Sequence, residues 1–355
     1  DDTGAEFDAG THANTRWLDP FPERWGEERL TLSDTLRATG VFTSRVFDAG
    51  SAGAWETLAW TPRRPTGKPL PDDGAAETAY ALGDVNMVGN RLLLHLDETS
   101  VPFADSSGQG NDGVCTAPAC PTAGAGGRFN SALAFDGADD IVTIADPVDP
   151  ARYALELWVY PETVTDTGLL LRTDAVSGTQ HHYSHLLGIA DGHFLHLSNA
   201  GGEEHRITGT TVISPDTWYH VVGTAESGGE LKLYVNGQEE ARAGGLGALW
   251  SGGDRYVLGA SYGFTGTTPF HGRLDEVAVY SRTLSAAEVT DHYLRGALRL
   301  DLALRTCDQP DCSDGAWNGP YSEEDNANLD LPTVAFAPPL ADARYAQYRA
   351  TLATD

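Results

Sequence analysis

Lysine is nearly absent: Lys68 and Lys232 are the two lysines in 355 residues. Arginine supplies the rest of 23 basic residues, against 51 acidic ones, for a formal net charge of -28. A chain so negative repels phosphate backbones and anionic membrane surfaces. Nucleic acid is therefore excluded as a partner, and divalent cations, basic partners or a salty medium are favoured. The arginine bias fits a high-GC genome and a saline habitat equally. Long apolar runs are missing as well. None reaches the ~20 residues that a transmembrane segment needs. Methionine occurs once and cysteine four times. The cysteines stand in two tight pairs, Cys115/Cys120 and Cys307/Cys312, each spaced C-x4-C in a loop with proline. Local disulfides are the simplest pairing; zinc is the alternative, with no histidine close by. Two disulfides imply an oxidising compartment. A first residue Asp1, without methionine, is what a processed, secreted protein would show.

Catalytic signatures are missing too. There is no His-Glu-x-x-His and no phosphate-binding Gly-Lys-Ser/Thr. Ala49-Gly-Ser-Ala-Gly53 lacks the first glycine of a nucleophile elbow. The nearest approach to a Glu-x-Asp-x-x-Glu glucanase strand is Glu323-Glu-Asp-Asn-Ala-Asn328, which ends in asparagine and reads as a loop. A non-enzyme is expected, with a polysaccharide-active enzyme as the weaker alternative.

What the chain does have is turns. Forty glycines and nineteen prolines spread along it punctuate many short strands. Apolar alternation predicts strands at Val41–Gly50, Ala54–Thr61, Leu92–Leu96, Ser131–Phe135, Asp140–Ile144 and Ala154–Tyr160. It continues at His182–Ile189, His193–Leu197, Trp218–Thr224, Glu230–Val235, Arg255–Gly259 and Arg273–Tyr280. Asp191-Gly192 and Asn236-Gly237 are two-residue hairpin turns. One helix is legible: Ser285 caps it, Glu288 closes a capping box, and Gly296 stops it. Leu298, Leu300, Leu302 and Leu304 then alternate with polar or small residues as a half-buried strand. Arg344–Leu352 is the last strand.

These pieces divide into an all-β arrangement of three parts. Residues 1–35 form an N-terminal arm or edge strand, with short strands at His12–Trp17 and Arg29–Leu32. Residues 91–296 form one large sandwich. Residues 36–90 and 297–355 have too few strands to fold apart, and together they reach the size of a small, discontinuous β-sandwich that the large one interrupts.

Several motifs of the large block resemble the laminin-G-like jelly rolls of the concanavalin and pentraxin superfamily. They are Leu96-Asp-Glu98, Asp105-Ser-Ser-Gly-x-Gly-Asn-Asp-Gly113, Ala132-Leu-Ala-Phe-Asp-Gly137, Leu155-Glu-Leu-Trp-Val-Tyr-Pro161, Trp218-Tyr-His-Val-Val222, Leu233-Tyr-Val-Asn-Gly237 and Gly272-Arg-Leu-Asp-Glu-Val-Ala-Val-Tyr280. The flanking pieces, with Phe47-Asp-Ala-Gly50 and Leu304-Arg-Thr-Cys307, are similar to a sandwich module of bacterial surface proteins. The resemblance implies a structural Ca2+ held by Asp275. In strict alternation Asp275 shares a face with Val277 and Val279, and a carboxylate there needs a partner. Asp105, Asn111, Asp97 and Asp136 lie in matching motifs and complete the expected oxygen ligands.

Two further groups are candidate ligand-binding residues. Pairing across Asp191-Gly192 sets His185 opposite Ser198 and His196 opposite Leu187. The two imidazoles become diagonal neighbours, fit for a transition metal or, with Tyr183, for a glycan. Tyr262, Phe264, Phe270 and His271 precede Arg273 in a Gly- and Thr-rich loop, where exposed rings stack on sugars. Trp158 and Trp218 read as core. The expected function is an extracellular, calcium-stabilised recognition or adhesion protein that binds a glycan or a cell-surface protein. The alternative is a structural subunit or repeat of a filament or adhesin stalk, self-assembling through the N-terminal arm.

Overall fold

The computed structural model describes residues 9–18, 29–32, 39–60, 62, 64–145, 151–173, 183–259, 269–322 and 333–354. By contacts the chain divides into two compact units. The outer unit holds Asp1–Lys68, Thr78–Gly83 and Arg295–Asp355; the inner unit holds Pro69–Glu77 and Asp84–Leu294. Among the described residues no helix is long and apolar enough to cross a membrane.

The inner unit is a pair of antiparallel sheets. One runs Gln238–Gly244, Glu230–Val235, Tyr219–Glu226, Arg152–Pro161, His271–Tyr280, Ser131–Asp136 and Thr122–Gly126, with Asn90–Leu94 also paired to His271–Tyr280. The other runs Glu203–Thr208, His193–Ala200, Tyr183–Ala190, Thr167–Thr173, Arg255–Leu258 and Val142–Ala145. Leu155, Leu157 and Val159 point into the main core with Leu187, Ile189, Val221, Leu233, Val277 and Val279. Each such side chain contributes roughly 1.5–3 kcal/mol of burial.

Thr167–Thr173 escapes alternation because every residue in it is buried. Leu169 and Leu170 join the main core, while Leu171 joins an apolar layer with Leu186, Leu195, Leu197 and Val257 on the sheet's far face. A strand covered on both faces loses the period of two. Glu203–Thr208 and Gln238–Gly244 are polar or small-residue edge strands and give no apolar signal.

Segments 69–77 and 84–90 lie in the inner unit, not in the outer connection that the sequence suggests. Ala75 and Glu77 are tied by backbone hydrogen bonds to Met87 and Val85. Leu70, Val85 and Met87 are buried with Leu93, Tyr234, Tyr280, Leu284 and Val289. This small core roofs one end of the eight-stranded sheet's outer face. The roof includes the helix Ala286–Ala297, whose expected box is present: Glu288 N–H donates to Ser285 Oγ at 3.3 Å, and Ser285 N–H to Glu288 Oε2 at 2.8 Å.

The outer unit holds a six-stranded antiparallel sheet and a two-stranded pair, Thr15–Leu18 with Arg29–Leu32. The 22-residue strand Thr333–Thr354 spans the sheet and pairs with Leu298–Cys307, Thr39–Thr43 and Phe47–Ala59. Leu302 and Leu304 are buried, in small cores with Phe42 and with Phe336 and Ala346. Thr11–Ala13 of the expected arm is the edge strand of this same sheet, Thr11 opposite Thr43. That strand is therefore already paired within its own chain. Both disulfides form as local pairs, Cys115–Cys120 and Cys307–Cys312, with Cα atoms 5.2 and 5.1 Å apart.

Candidate functional site

The strand Arg152–Pro161 organises the outer face of the eight-stranded sheet. Its alternate residues Glu156, Trp158 and Tyr160 point away from the main core. Register sets His220 and Asp275 on either side of Trp158, and Arg273 beside Tyr160.

Under the helix this face is buried and polar. Glu156 accepts a hydrogen bond from His220 Nε2 at 2.7 Å, and His292 Nδ1 donates at 3.0 Å to both carboxylate oxygens. Burial alone would raise the acid, but His292 and His220 outweigh it and hold Glu156 well below the usual carboxylate range. Tyr280 lies against the same carboxylate; burial first, then that charge, push its phenol well up. The far nitrogens, His220 Nδ1 and His292 Nε2, are buried without a hydrogen-bond partner among the described residues.

One strand over, a bulge changes the expected geometry. Asp275 pairs with Trp158 and Ala278 with Glu156, so Glu276 and Val277 together face Leu157. Glu276 takes the left-handed conformation, φ 50°, as a bulge residue does. Leu274 and Val277 both enter the main core. Asp275 therefore shares the outer face with Trp158, not the inner face with Val277 and Val279. It is still fully buried. Its Oδ2 accepts the backbone N–H groups of Arg128 and Phe129 at 2.7 and 3.0 Å, and its Oδ1 that of Glu276 at 2.8 Å. Burial first, then the Glu276 charge, raise this acid well above its ordinary value; the two loop N–H groups oppose the shift and Asp97 adds to it. Glu276 is itself raised by burial, against the pull of His95. Burial alone would lower His95, but Glu276 and then Asp72 hold it up at about 10.

The five expected calcium ligands separate into three groups. Asp97 joins Asp275 around the turn at residues 128–131, where its Oδ1 accepts Ser131 N–H at 2.9 Å and its Oδ2 accepts Asn130 Nδ2 at 3.0 Å. Asp105 and Asn111 close their own turn: Asp105 accepts the N–H groups of Leu93, Ser107 and Asn111, and Asn111 Nδ2 donates to the Arg91 carbonyl. Asp136 clusters with Asp139 and Asp140, the first two exposed. Burial, then the neighbouring carboxylates, raise Asp140, although the Asp136 N–H opposes them. Asp97 and Asp275 meet at the 128–131 turn, where both oxygens of each accept hydrogen bonds, whereas among the described residues Asp136, Asp139 and Asp140 bring carboxylate oxygens within 4.8 Å of one another.

His185 and His196 have the expected register, opposite Ser198 and Leu187, but they are not ligand residues of an outer surface. Both are buried between the sheets. Tyr153 stacks on His185 with ring centroids 3.8 Å apart, and its hydroxyl meets His196 Nε2 at 3.0 Å. His185 Nε2 meets the Tyr256 hydroxyl at 2.8 Å, and His196 Nδ1 donates to the Lys232 carbonyl at 2.8 Å. Gly223 leaves room for the His196 ring; a Cβ there would approach it to 2.9 Å. Alternation places a residue on a face without saying that the face is an interior one. Tyr183 is half-buried and donates to Glu204 at 2.6 Å. Phe270 is core, packed on Phe135. Tyr262 and Phe264 lie outside the described residues, as does Glu323–Asn328.

Beyond the roof, the outer face opens. Tyr160 and Trp218 are half-buried, with ring centroids 5.3 Å apart and planes at 52°. The Arg273 guanidinium sits 4.9 Å over Tyr160. Its Nε reaches Glu162 Oε1 at 3.3 Å, and its Nη1 donates to the Gly126 carbonyl at 3.0 Å. His271, 40% exposed, lies 3.4 Å from the other oxygen of Glu162. The loop carrying Trp218 is pinned by Asp216 N–H to the Pro161 carbonyl at 2.8 Å. Of this group the sequence singled out His271 alone, and Trp218 was expected in the core. Tyr160 and Glu162 straddle the end of a strand, which was the available sign that they could share an open site.

Residues 136–290 match the family model of the concanavalin A-like lectin/glucanases superfamily. No curated protein matches the chain. Among solved structures, the chain is similar to domain 4 of AbnA, a GH43 extracellular arabinanase from Geobacillus stearothermophilus, solved with arabinotriose. That match is 22% identical, covers 57% of this chain and 98% of that one, and has a TM-score of 0.46. The binding domain of Paraclostridial Mosquitocidal Protein 1 matches at 14% identity over 62% of this chain and 61% of its own, TM-score 0.46. A Trypanosoma rangeli sialidase matches at 16% over 62% of this chain and 36% of its own, TM-score 0.47. The inner unit thus has the two facing antiparallel sheets of a jelly roll, and its residues 136–290 match the model of the concanavalin A-like lectin/glucanases superfamily.

Proposed function

We propose that this chain is an extracellular, non-catalytic recognition protein whose inner unit binds a glycan on the open end of its eight-stranded sheet. One observation carries the reading: Tyr160 and Trp218 form a partly exposed ring pair on the outer face, beyond the roof over Glu156. Such ring pairs offer apolar area for a sugar face, and the Arg273–Glu162–His271 chain beside them offers donors and acceptors for hydroxyls. Two disulfides support an oxidising, extracellular setting. The expected result is that Trp218→Ala and Tyr160→Ala each weaken glycan binding by at least about tenfold with little change in melting. Unchanged binding in both variants would remove this face from the account.

The same reading keeps a structural calcium at Asp97 and Asp275, with turn carbonyls as further oxygens. Calcium would supply the positive charge that Asp97, Asp275 and Glu276 lack beside His95. Chelator should lower the melting temperature of the wild type and leave Asp97→Asn/Asp275→Asn unmoved. Identical melting of the wild type with calcium and with chelator would exclude the ion.

A second reading, a structural subunit joined edge to edge, is favoured by one feature. The 13-residue strand Phe47–Ala59 pairs with Thr333–Thr354 on one side, and among the described residues its other edge has no strand. Its middle, Ala49–Ala54, carries neither lysine nor proline to block addition of a strand. Sedimentation of the wild type against Ala52→Lys decides: concentration-dependent assembly lost in the variant supports it, and monomers in both dismiss it.

A further inference from the structure

We infer that the Tyr160–Trp218 site selects uncharged, hydroxyl-rich glycans and rejects uronate and sulfated ones, and that Glu162 is the residue that sets this choice. The inference rests on the glycan reading above and narrows it to a ligand class.

A sugar carboxylate or sulfate in a protein site needs a guanidinium or imidazolium whose charge is not already spent. Two cationic or potentially cationic side chains border the aromatic pair among the described residues, Arg273 and His271. Both face the same carboxylate, Glu162, at 3.3 and 3.4 Å. Arg273 is further committed to the Gly126 carbonyl and to the face of Tyr160. The next guanidinium along this face, Arg128, is buried 4.7 Å over Trp158 and does not reach the open end.

The acids point the same way. His271 pairs in register with Asp136, which is exposed beside Asp139 and Asp140. An anionic polymer laid across the rings would run past these carboxylates, within a chain whose net charge is -28. Like charges at such distances repel and slow association. A neutral chain meets no such barrier. Its paired hydroxyls can donate to Glu162 and accept from Arg273, the arrangement in which a carboxylate–guanidinium pair serves a diol without losing its own contact.

Glu162 is therefore a specificity residue with a sharp test. Its side chain is 33% exposed, so Glu162→Gln should fold, and its melting temperature checks this. The probes are immobilised neutral polysaccharides (laminarin, amylose, xylan, mannan) and anionic ones (alginate, heparin), at low and physiological salt. The wild type should bind at least one neutral probe and neither anionic one. Glu162→Gln frees Arg273 and should gain anionic binding by about tenfold or more, with the gain lost at high salt. Trp218→Ala should abolish every signal. Tighter wild-type binding of alginate or heparin, still dependent on Trp218, would overturn the selectivity and leave the site standing. Rejection of anionic probes by Glu162→Gln equal to that of the wild type would overturn the role of Glu162. Binding of any probe that Trp218→Ala and Tyr160→Ala leave intact, or no binding at all, would bring down the site and this inference together.

Discussion

Replacing Glu156 with alanine should cost the inner unit about 3–5 kcal/mol. Two imidazoles and a phenol converge on this one carboxylate in a region that excludes water. Without it, His220 and His292 keep buried N–H groups with no acceptor, and their far nitrogens have no partner to turn to. A buried donor stripped of its acceptor bears the whole desolvation penalty. His292 sits on the helix Ala286–Ala297, so the loss should appear first as faster amide exchange there. For a unit of this size the melting temperature should fall by roughly 10 °C. Glu156→Gln retains one acceptor oxygen of the same shape and should lose less. A Glu156→Ala protein that melts within a degree or two of wild type, with the helix equally protected, would show that the cluster does not hold the roof.

Acid should weaken the same unit through its interior. Burial lowers His196 to about 4, against the Lys232 carbonyl that pulls it up. Burial, then Arg172 and His196, lower His185 well below its ordinary value. Both folded values lie below the ~6.5 of an unfolded histidine. The unfolded chain then binds protons that the folded chain refuses. This contribution is complete above about pH 6.5 and is lost as pH falls toward 4. For His196 the loss is about 3 kcal/mol. Urea midpoints measured across that window should decline steadily. His196→Gln should be weaker at neutral pH, because the Tyr153 and Lys232 contacts are imperfectly replaced, and should decline less in acid. A wild-type midpoint that stays level from neutrality to pH 4 would contradict the buried, neutral state of these rings.

Glu156, His185 and His196 are buried in settings that the sequence does not reveal. Alternation assigned Leu155, Leu157 and Val159 to one face and Glu156, Trp158 and Tyr160 to the other, and the sheet keeps that division. It did not show that the polar face would be roofed at Glu156 and left open at Tyr160. The roof comes from segments 69–77 and 84–90, remote in sequence, and from a helix that starts after residue 285. Asp275 illustrates the second gap. Alternation placed it beside Val277 and Val279, but Glu276 adds one residue to the strand and reverses the parity of everything before it, so Asp275 is buried on the opposite face, under the loop of Arg128 and Phe129.

Local chemistry needs few residues, and there the chain spoke for itself. The Asp191-Gly192 turn set the register of His185 and His196, Ser285 and Glu288 closed their box, and each cysteine met the neighbour five positions away. Motif order identified the jelly roll. Tertiary structure decided which faces meet water. Exposure depends on what packs from elsewhere in the chain, and a period of two carries no information about that. The imidazoles expected at a surface became core for this reason, and Trp218, expected in the core, became part of the open site.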